Sequence, residues 1–236
     1  MSARLPTGTA PTSCPALTRP MLTNKKAVLF DFDGTLAPNL DLPGMRRDVV
    51  AHTIERGVPE AVFEGQYIIE VIETSAAWMR EAGWQMAEID DYVARSNQII
   101  LDIELGAAAE TAPFDGVREM LRKLGADDIG AGVVTRNCRD AVFQTFPDIL
   151  DFVGVVHARD DIEYVKPDPR HLSDTLDKLG ASATDAVMVG DGALDMKVGK
   201  SIGMTCVGVL TGSADEPLLW EAGADYVIPD CLGLVG

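Results

Sequence analysis

From residue 27 onward the chain alternates short apolar runs with stretches of helical periodicity, and this alternation restricts its fold more than any other feature. Runs of strand length occur at 27–30, 131–135, 152–156, 186–189, 205–210 and 226–228. Between the last five lie helical patterns near 138–146, 170–179, 193–202 and 216–222. Strands joined through helices build a parallel sheet with helices on both faces, each connection a right-handed crossover. The expected fold class is therefore α/β, a three-layer, Rossmann-like parallel sheet core.

The interval 41–113 breaks this rhythm. It has no convincing strand, and its apolar residues recur at helical spacing: Val62, Ile69, Ile72, Ala76 and Met79 in one stripe, Ile89, Tyr92, Val93, Ser96, Ile100 and Ile103 in another. Such stripes are packing faces, so the segment is predicted to be an inserted α-helical cap. The polar residues Gln66, Arg80, Arg95 and Asn97 on these helices could face a ligand or only solvate the surface. The core is then assigned to 25–40 and 114–236, and 1–24 to a disordered tail rich in Pro, Ser and Thr, with no acidic residue before Asp31. Pro6, Pro11, Pro15 and Pro20 would break the amphipathic helix of an organelle transit peptide; Met21 is an alternative start.

A net charge of −17 argues against nucleic acid or an anionic membrane as partner, because the field of the whole molecule repels polyanions. An anionic substrate would need cations concentrated locally. No apolar run reaches the roughly 18 residues of a membrane span, and the first 20 residues lack the apolar stretch of a signal peptide. Cys14, Cys138, Cys206 and Cys231 form no CxxC pair, which points away from zinc or a disulfide framework and towards the cytoplasm. Cys138, close to Thr135, reads as a small core residue.

Three apolar runs end on an oxygen-bearing side chain: Asp31, Thr135 and Asp191. Parallel strands bring such ends together at one edge of the sheet, where open α/β folds bind ligands. Asp33 lies two residues past Asp31, so extended backbone turns both carboxylates to the same side. Their repulsion is relieved by a cation or by protonating one of them. Gly34 permits a tight turn whose amides can approach a phosphate, and Thr35 adds a hydroxyl behind it. In GDGALD, Asp191 and Asp195 supply a second acidic pair; each alone reads equally as a helix cap or first-turn acid, but together with Asp31 they form an all-oxygen site suited to Mg²⁺. Lys166, fixed by Pro167 and Pro169, is the candidate local cation, while Thr135 and the amide of Arg136 would donate to the same phosphate.

The ordered set DFDGT, VVT, Lys followed by Pro, and GDxxxD resembles the four motifs of the haloacid dehalogenase superfamily, over about residues 27–229. PFDGVREMLRKLGA and ADYVIPD resemble its phosphoglycolate phosphatase-like branch, which carries a helical cap after the first motif. TRN stands where the second motif commonly reads TN or SN, and LAPN follows DGT where many relatives have an acidic residue. The resemblance implies Asp31 as nucleophile, Asp33 as general acid and base, Thr135 and Lys166 as phosphate binders, and Asp191 as a metal ligand. Asp195 would ligate or support the metal, and the backbone carbonyl of Asp33 would also reach it. The implied activity is Mg²⁺-dependent hydrolysis of a small phosphorylated metabolite through an aspartyl-phosphate: a phosphoglycolate-like ester, a sugar phosphate, a nucleotide or pyrophosphate. The alternatives are a phosphomutase of the β-phosphoglucomutase kind, a dehalogenase, and a receiver-type phosphoacceptor module.

Overall fold

The computed structural model describes residues 20–236. Six parallel strands form one sheet: β1 (Ala27–Phe30), β2 (Gly130–Val134), β3 (Val155–His157), β4 (Ala186–Gly190), β5 (Thr205–Val209) and β6 (Tyr226–Ile228), in the order β3-β2-β1-β4-β5-β6. After β1 the chain builds outward through β2 and β3, then returns to the other side of β1 for β4. The order of strands thus reverses between β1 and β4, which is where such sheets open a crevice.

Because side chains alternate along a strand, β1 feeds two cores. Val28 and Phe30 join Val133, Val187 and Val207 on one face, beneath α4 (Val117–Ala126) and α5 (Arg139–Thr145). Ala27 and Leu29 join Met188 and Cys206 on the other, beneath α6 (Arg170–Leu179) and α7 (Ala193–Ser201), with α8 (Glu216–Glu221) contributing Leu219. Burial on both faces is why β1 and β4 read as unbroken apolar runs.

Some boundaries differ from those expected. The run at 152–156 yields a strand only from Val155, because Phe152 ends a 3-10 turn (Ile149–Asp151) and tilts its ring against Phe146. The sheet stops at Val134 and Val209, one residue short of the expected ends. Helix α4 was not anticipated, although Val117, Met120, Leu121 and Leu124 give it a buried stripe at helical spacing.

Between β1 and α4 lie α1 (Leu42–Glu55), α2 (Ile68–Glu81) and α3 (Met86–Ala108), which share a separate apolar cluster containing Val49, Val71, Ile72, Met79, Ile89, Tyr92 and Ile100. Asp41 caps α1, its side chain accepting from the Gly44 N–H. The C-terminal end of α3 rests on the core, where Ala108 meets Cys138 and Ala141. Of the expected tail, residues 1–19 lie outside the described ones. Its last part is corrected: Pro20–Leu22 form a 3-10 turn, and Met21 and Leu22 are buried in the larger core cluster. No helix among the described residues is long and apolar enough to cross a membrane.

Candidate active site

The register Phe30↔Val189 sets the ends of β1 and β4 side by side, so Asp31 and Asp191 emerge together at the strand-order reversal. Asp195, in the first turn of α7, completes a group with oxygens within 4.8 Å of one another. The space for it depends on absent side chains. A Cβ on Gly34, whose φ is +76°, would lie 2.7 Å from the Asp191 carboxylate, and one on Gly212 would lie 2.0 Å from it. Asp191 Oδ2 accepts from the Ser213 N–H at 2.6 Å, and the Thr211 hydroxyl donates to the Gly34 carbonyl at 2.5 Å, tying the loop after β5 to the turn after β1.

Lys166 is only 1% exposed, and its Nζ reaches Asp195 Oδ1 at 2.7 Å and Asp31 Oδ1 at 3.0 Å. The Phe32 N–H donates to the same Asp31 oxygen at 2.8 Å. Burial raises the Asp31 pKa well above the ordinary carboxylate range; Lys166 opposes this, and Asp195, Asp191 and Asp33 add to it. Burial also raises Asp191. Lys166 stays charged: burial works against its ammonium, but Asp195 and Asp31 outweigh it and raise its pKa. One lysine facing three carboxylates leaves an excess of negative charge. Hard oxygen donors with uncompensated charge, in a cradle where a Cβ at Gly34 or Gly212 would collide, fit a divalent cation.

Asp33 stands outside this cluster. The Asn137 side-chain amide donates to both of its oxygens at 3.1 Å. Burial pushes Asp33 up to about 7 against the pull of Asn137, with Glu104 and Asp191 contributing in the same upward direction. Burial thus raises both carboxyls, but different neighbours oppose it, the Lys166 ammonium at Asp31 and the Asn137 amide at Asp33.

The Gly34 N–H, expected to face a phosphate, donates instead to the Ala37 carbonyl at 2.8 Å, because the turn closes on itself. What the glycine supplies is its positive φ and the room it leaves for Asp191. The Thr35 hydroxyl is fully buried and has no hydrogen-bond partner among the described residues. Thr135 is buried at the edge of the cavity, its hydroxyl accepting from the Asn137 N–H at 3.0 Å.

Arg136 lines the same cavity, but its side chain reaches Glu70 on α2 at 2.9 Å. Nearby, Arg159 Nη2 donates to Glu104 of α3 at 2.9 Å; its Nη1 also pairs with that carboxylate and donates to the Arg136 carbonyl at 2.6 Å. Asn137, Arg159, Glu104 and Ser213 were missed in the sequence. Only Asn137 carried a usable signal, as the last letter of TRN. Of the four polar residues singled out on the inserted helices, Gln66 lines the cavity. Cys138 is a buried core residue, its thiol pushed up to about 12 by burial.

His171 fixes the backbone of Lys166. Its Nδ1 accepts from the Lys166 N–H at 3.1 Å, so Nε2 carries the proton and donates to the His157 carbonyl at 3.0 Å. Burial, with the Lys166 charge, lowers its pKa from 6.5 to about 3. The unfolded chain then binds a proton that the folded chain refuses, so this contribution to stability is present above pH 6.5 and is lost as pH falls towards 3. Between pH 7 and pH 5 the protein should lose about 2 kcal/mol more unfolding free energy than His171→Gln does. Urea titrations at the two values check this, and equal losses would refute it.

The sequence matches the family model described as haloacid dehalogenase-like hydrolase over residues 28–209. Among curated proteins, a phosphoglycolate phosphatase of Xanthomonas campestris pv. campestris is 30% identical over 208 residues, covering 84% of this chain and 90% of that protein. The pyrophosphatase PpaX of Halalkalibacterium halodurans is 31% identical over 129 residues, which cover 52% of this chain and only 60% of that protein. Among solved structures, a hydrolase from Pseudomonas syringae aligns with a TM-score of 0.66 at 21% identity, covering 89% of this chain and 96% of the other. A phosphonoacetaldehyde hydrolase-like protein from Oleispira antarctica aligns at 0.62 and 18% identity, with coverages of 95% and 93%. These two structures share the fold.

Proposed function

The chain belongs to the haloacid dehalogenase-like hydrolases, and from that premise we propose that it is a Mg²⁺-dependent phosphatase acting on a small phosphomonoester through an aspartyl-phosphate on Asp31. The observation that carries this reading is the pairing of two unlike carboxylates at one sheet end. Asp31 is held beside Lys166, Asp191 and Asp195, while Asp33, two residues on, sits apart with a pKa near 7.

Asp31 attacks phosphorus, the bond from phosphorus to the ester oxygen breaks, and protonated Asp33 gives its proton to that oxygen. Asp33, now ionised, takes a proton from the water that attacks the aspartyl-phosphate, and phosphate leaves. Positioning of Asp31 is worth up to roughly 7–11 kcal/mol, and proton transfer by Asp33 about 10²–10⁴-fold. Lys166, the Thr135 hydroxyl and the Arg136 amide hold the phosphoryl oxygens. Bound by Asp31, Asp191 and Asp195, with the Asp33 carbonyl as a further ligand, Mg²⁺ would neutralise charge developing on the transferred group.

The helices at 41–113 act as the cap: they close the cavity, exclude bulk water and read the leaving group. Relatives named for phosphoglycolate and pyrophosphate set the range of candidates, with sugar phosphates and nucleotides alongside. The three described cysteines, buried free thiols, suit a reducing cytoplasm.

A screen of phosphorylated metabolites with phosphate release as readout should find hydrolysis that EDTA abolishes and added Mg²⁺ restores. Full activity in EDTA would refute the metal, and an isomeric sugar phosphate as product in place of free phosphate would identify a mutase.

A further inference from the structure

We propose that Arg46 reads the leaving half of the substrate, and that this half is a mostly apolar body bearing a second oxyanion, either a carboxylate or another phosphoryl group. The inference rests on the phosphatase reading and narrows it to a substrate class.

The cavity above Asp31 measures about 760 Å³. That lies within the roughly 300–1,000 Å³ typical of pockets for drug-sized ligands, far more than a two-carbon phosphate ester fills. Much of its lining is apolar: Leu42 and Met45 of α1, Tyr67 and Ile68 at the start of α2, Ile100 of α3 and Leu218 of α8. A highly polar leaving group such as a sugar would lose its water there without recovering hydrogen bonds.

Four cations line this cavity. Lys166 is matched by Asp31 and Asp195, Arg136 by Glu70, and Arg159 by Glu104. Arg46, in α1, differs: its Nη1 donates to the backbone carbonyl of Gln66, and among the described residues no carboxylate pairs with it. That bond anchors one edge of the guanidinium and leaves the remaining N–H groups for a ligand, in a setting where a charged hydrogen bond is strong. In a chain of net charge −17, an arginine without a counter-ion inside a cavity marks the place of an anion the substrate brings.

The test compares phenyl phosphate, 4-carboxyphenyl phosphate, 1,4-phenylene bisphosphate and phosphoglycolate on the wild type, Arg46→Met and Arg46→Lys, with folding followed by circular dichroism. The wild type should prefer at least one of the two anion-bearing aryl esters to phenyl phosphate, and the preferred one identifies the oxyanion. Arg46→Met should lower kcat/KM for that ester roughly 10- to 100-fold more than for phenyl phosphate, chiefly through KM. Arg46→Lys keeps the charge without the fork and should retain part of the preference; it also serves if the Met variant fails to fold. Equal losses on all esters, or a wild type indifferent to the second anion, would overturn the role of Arg46. Phosphoglycolate outpacing 4-carboxyphenyl phosphate would overturn the apolar body. Phosphate release from none of these esters by a protein that hydrolyses another metabolite in the screen would overturn this inference alone, and release from no metabolite at all would overturn the phosphatase reading with it.

Discussion

Asp31→Asn should abolish turnover, lowering kcat by roughly 10⁴-fold or more, because an amide cannot form the acyl-phosphate that splits one slow displacement into two faster ones. The same substitution should not weaken the metal-free fold. Asp31 is the carboxylate that burial raises well above 3.8, with Asp195, Asp191 and Asp33 reinforcing the shift and Lys166 opposing it. A group whose folded pKa is raised contributes stability that is full below its unfolded pKa and lost as pH rises through the folded value. At pH 7 in EDTA the native carboxyl is therefore a liability that Asn removes, while Lys166 keeps Asp195 as its partner at 2.7 Å. The variant should unfold at the same temperature as the wild type or higher in EDTA, and should gain less from added Mg²⁺, having lost an anionic ligand. Near-normal phosphate release by a folded Asp31→Asn protein would rule out the nucleophile. A large drop in its melting temperature in EDTA would show that Asp31 serves the fold rather than the chemistry.

How much of this was legible follows the range over which each interaction acts. Strand β1 and helix α6 lie where the local pattern put them, because an apolar run buried on both faces and a stripe at helical spacing are local signals. Strand β3 was misread at its start because Phe152 is apolar for a different reason: it packs as a turn residue on Phe146, and periodicity cannot distinguish the two kinds of burial. The gathering of Asp31, Thr135 and Asp191 at one cavity was legible through topology, since parallel strands must end at one edge.

The contacts joining the inserted helices to the core were not legible. Glu104 and Arg159 are 55 positions apart, and Glu70 and Arg136 are 66 apart. Nothing within either helix sets one glutamate apart from its solvated neighbours. At Gly34 the tight turn was legible and needs its positive φ, but the room it leaves for Asp191 was not, and its N–H is taken by the Ala37 carbonyl.

Replacing Lys166 by Met keeps the length of the side chain and removes its charge, and it should damage stability and catalysis in ways that separate. The ammonium, buried with 2.7 and 3.0 Å contacts to Asp195 and Asp31, is the only cation in contact with the carboxylate cluster among the described residues. Breaking a buried ion pair by removing one partner typically costs about 3–5 kcal/mol, because the remaining charge stays desolvated. Here three carboxylates would be left, so the metal-free variant should be destabilised by at least that much at pH 7. The deficit should shrink on acidification, as protonation does what the lysine did, and also on adding Mg²⁺, which neutralises the same oxygens. Catalysis should not recover with the fold. In saturating Mg²⁺ the Met variant would still lack the donor to the phosphoryl oxygens, and its kcat/KM should remain about 10²–10³-fold down. Denaturant titrations with and without Mg²⁺, paired with phosphate release on the refolded variant, test both halves. Restored activity together with restored stability would reduce Lys166 to a counter-ion for the acidic cluster, and a deficit blind to Mg²⁺ would mean that the three aspartates do not bind the metal.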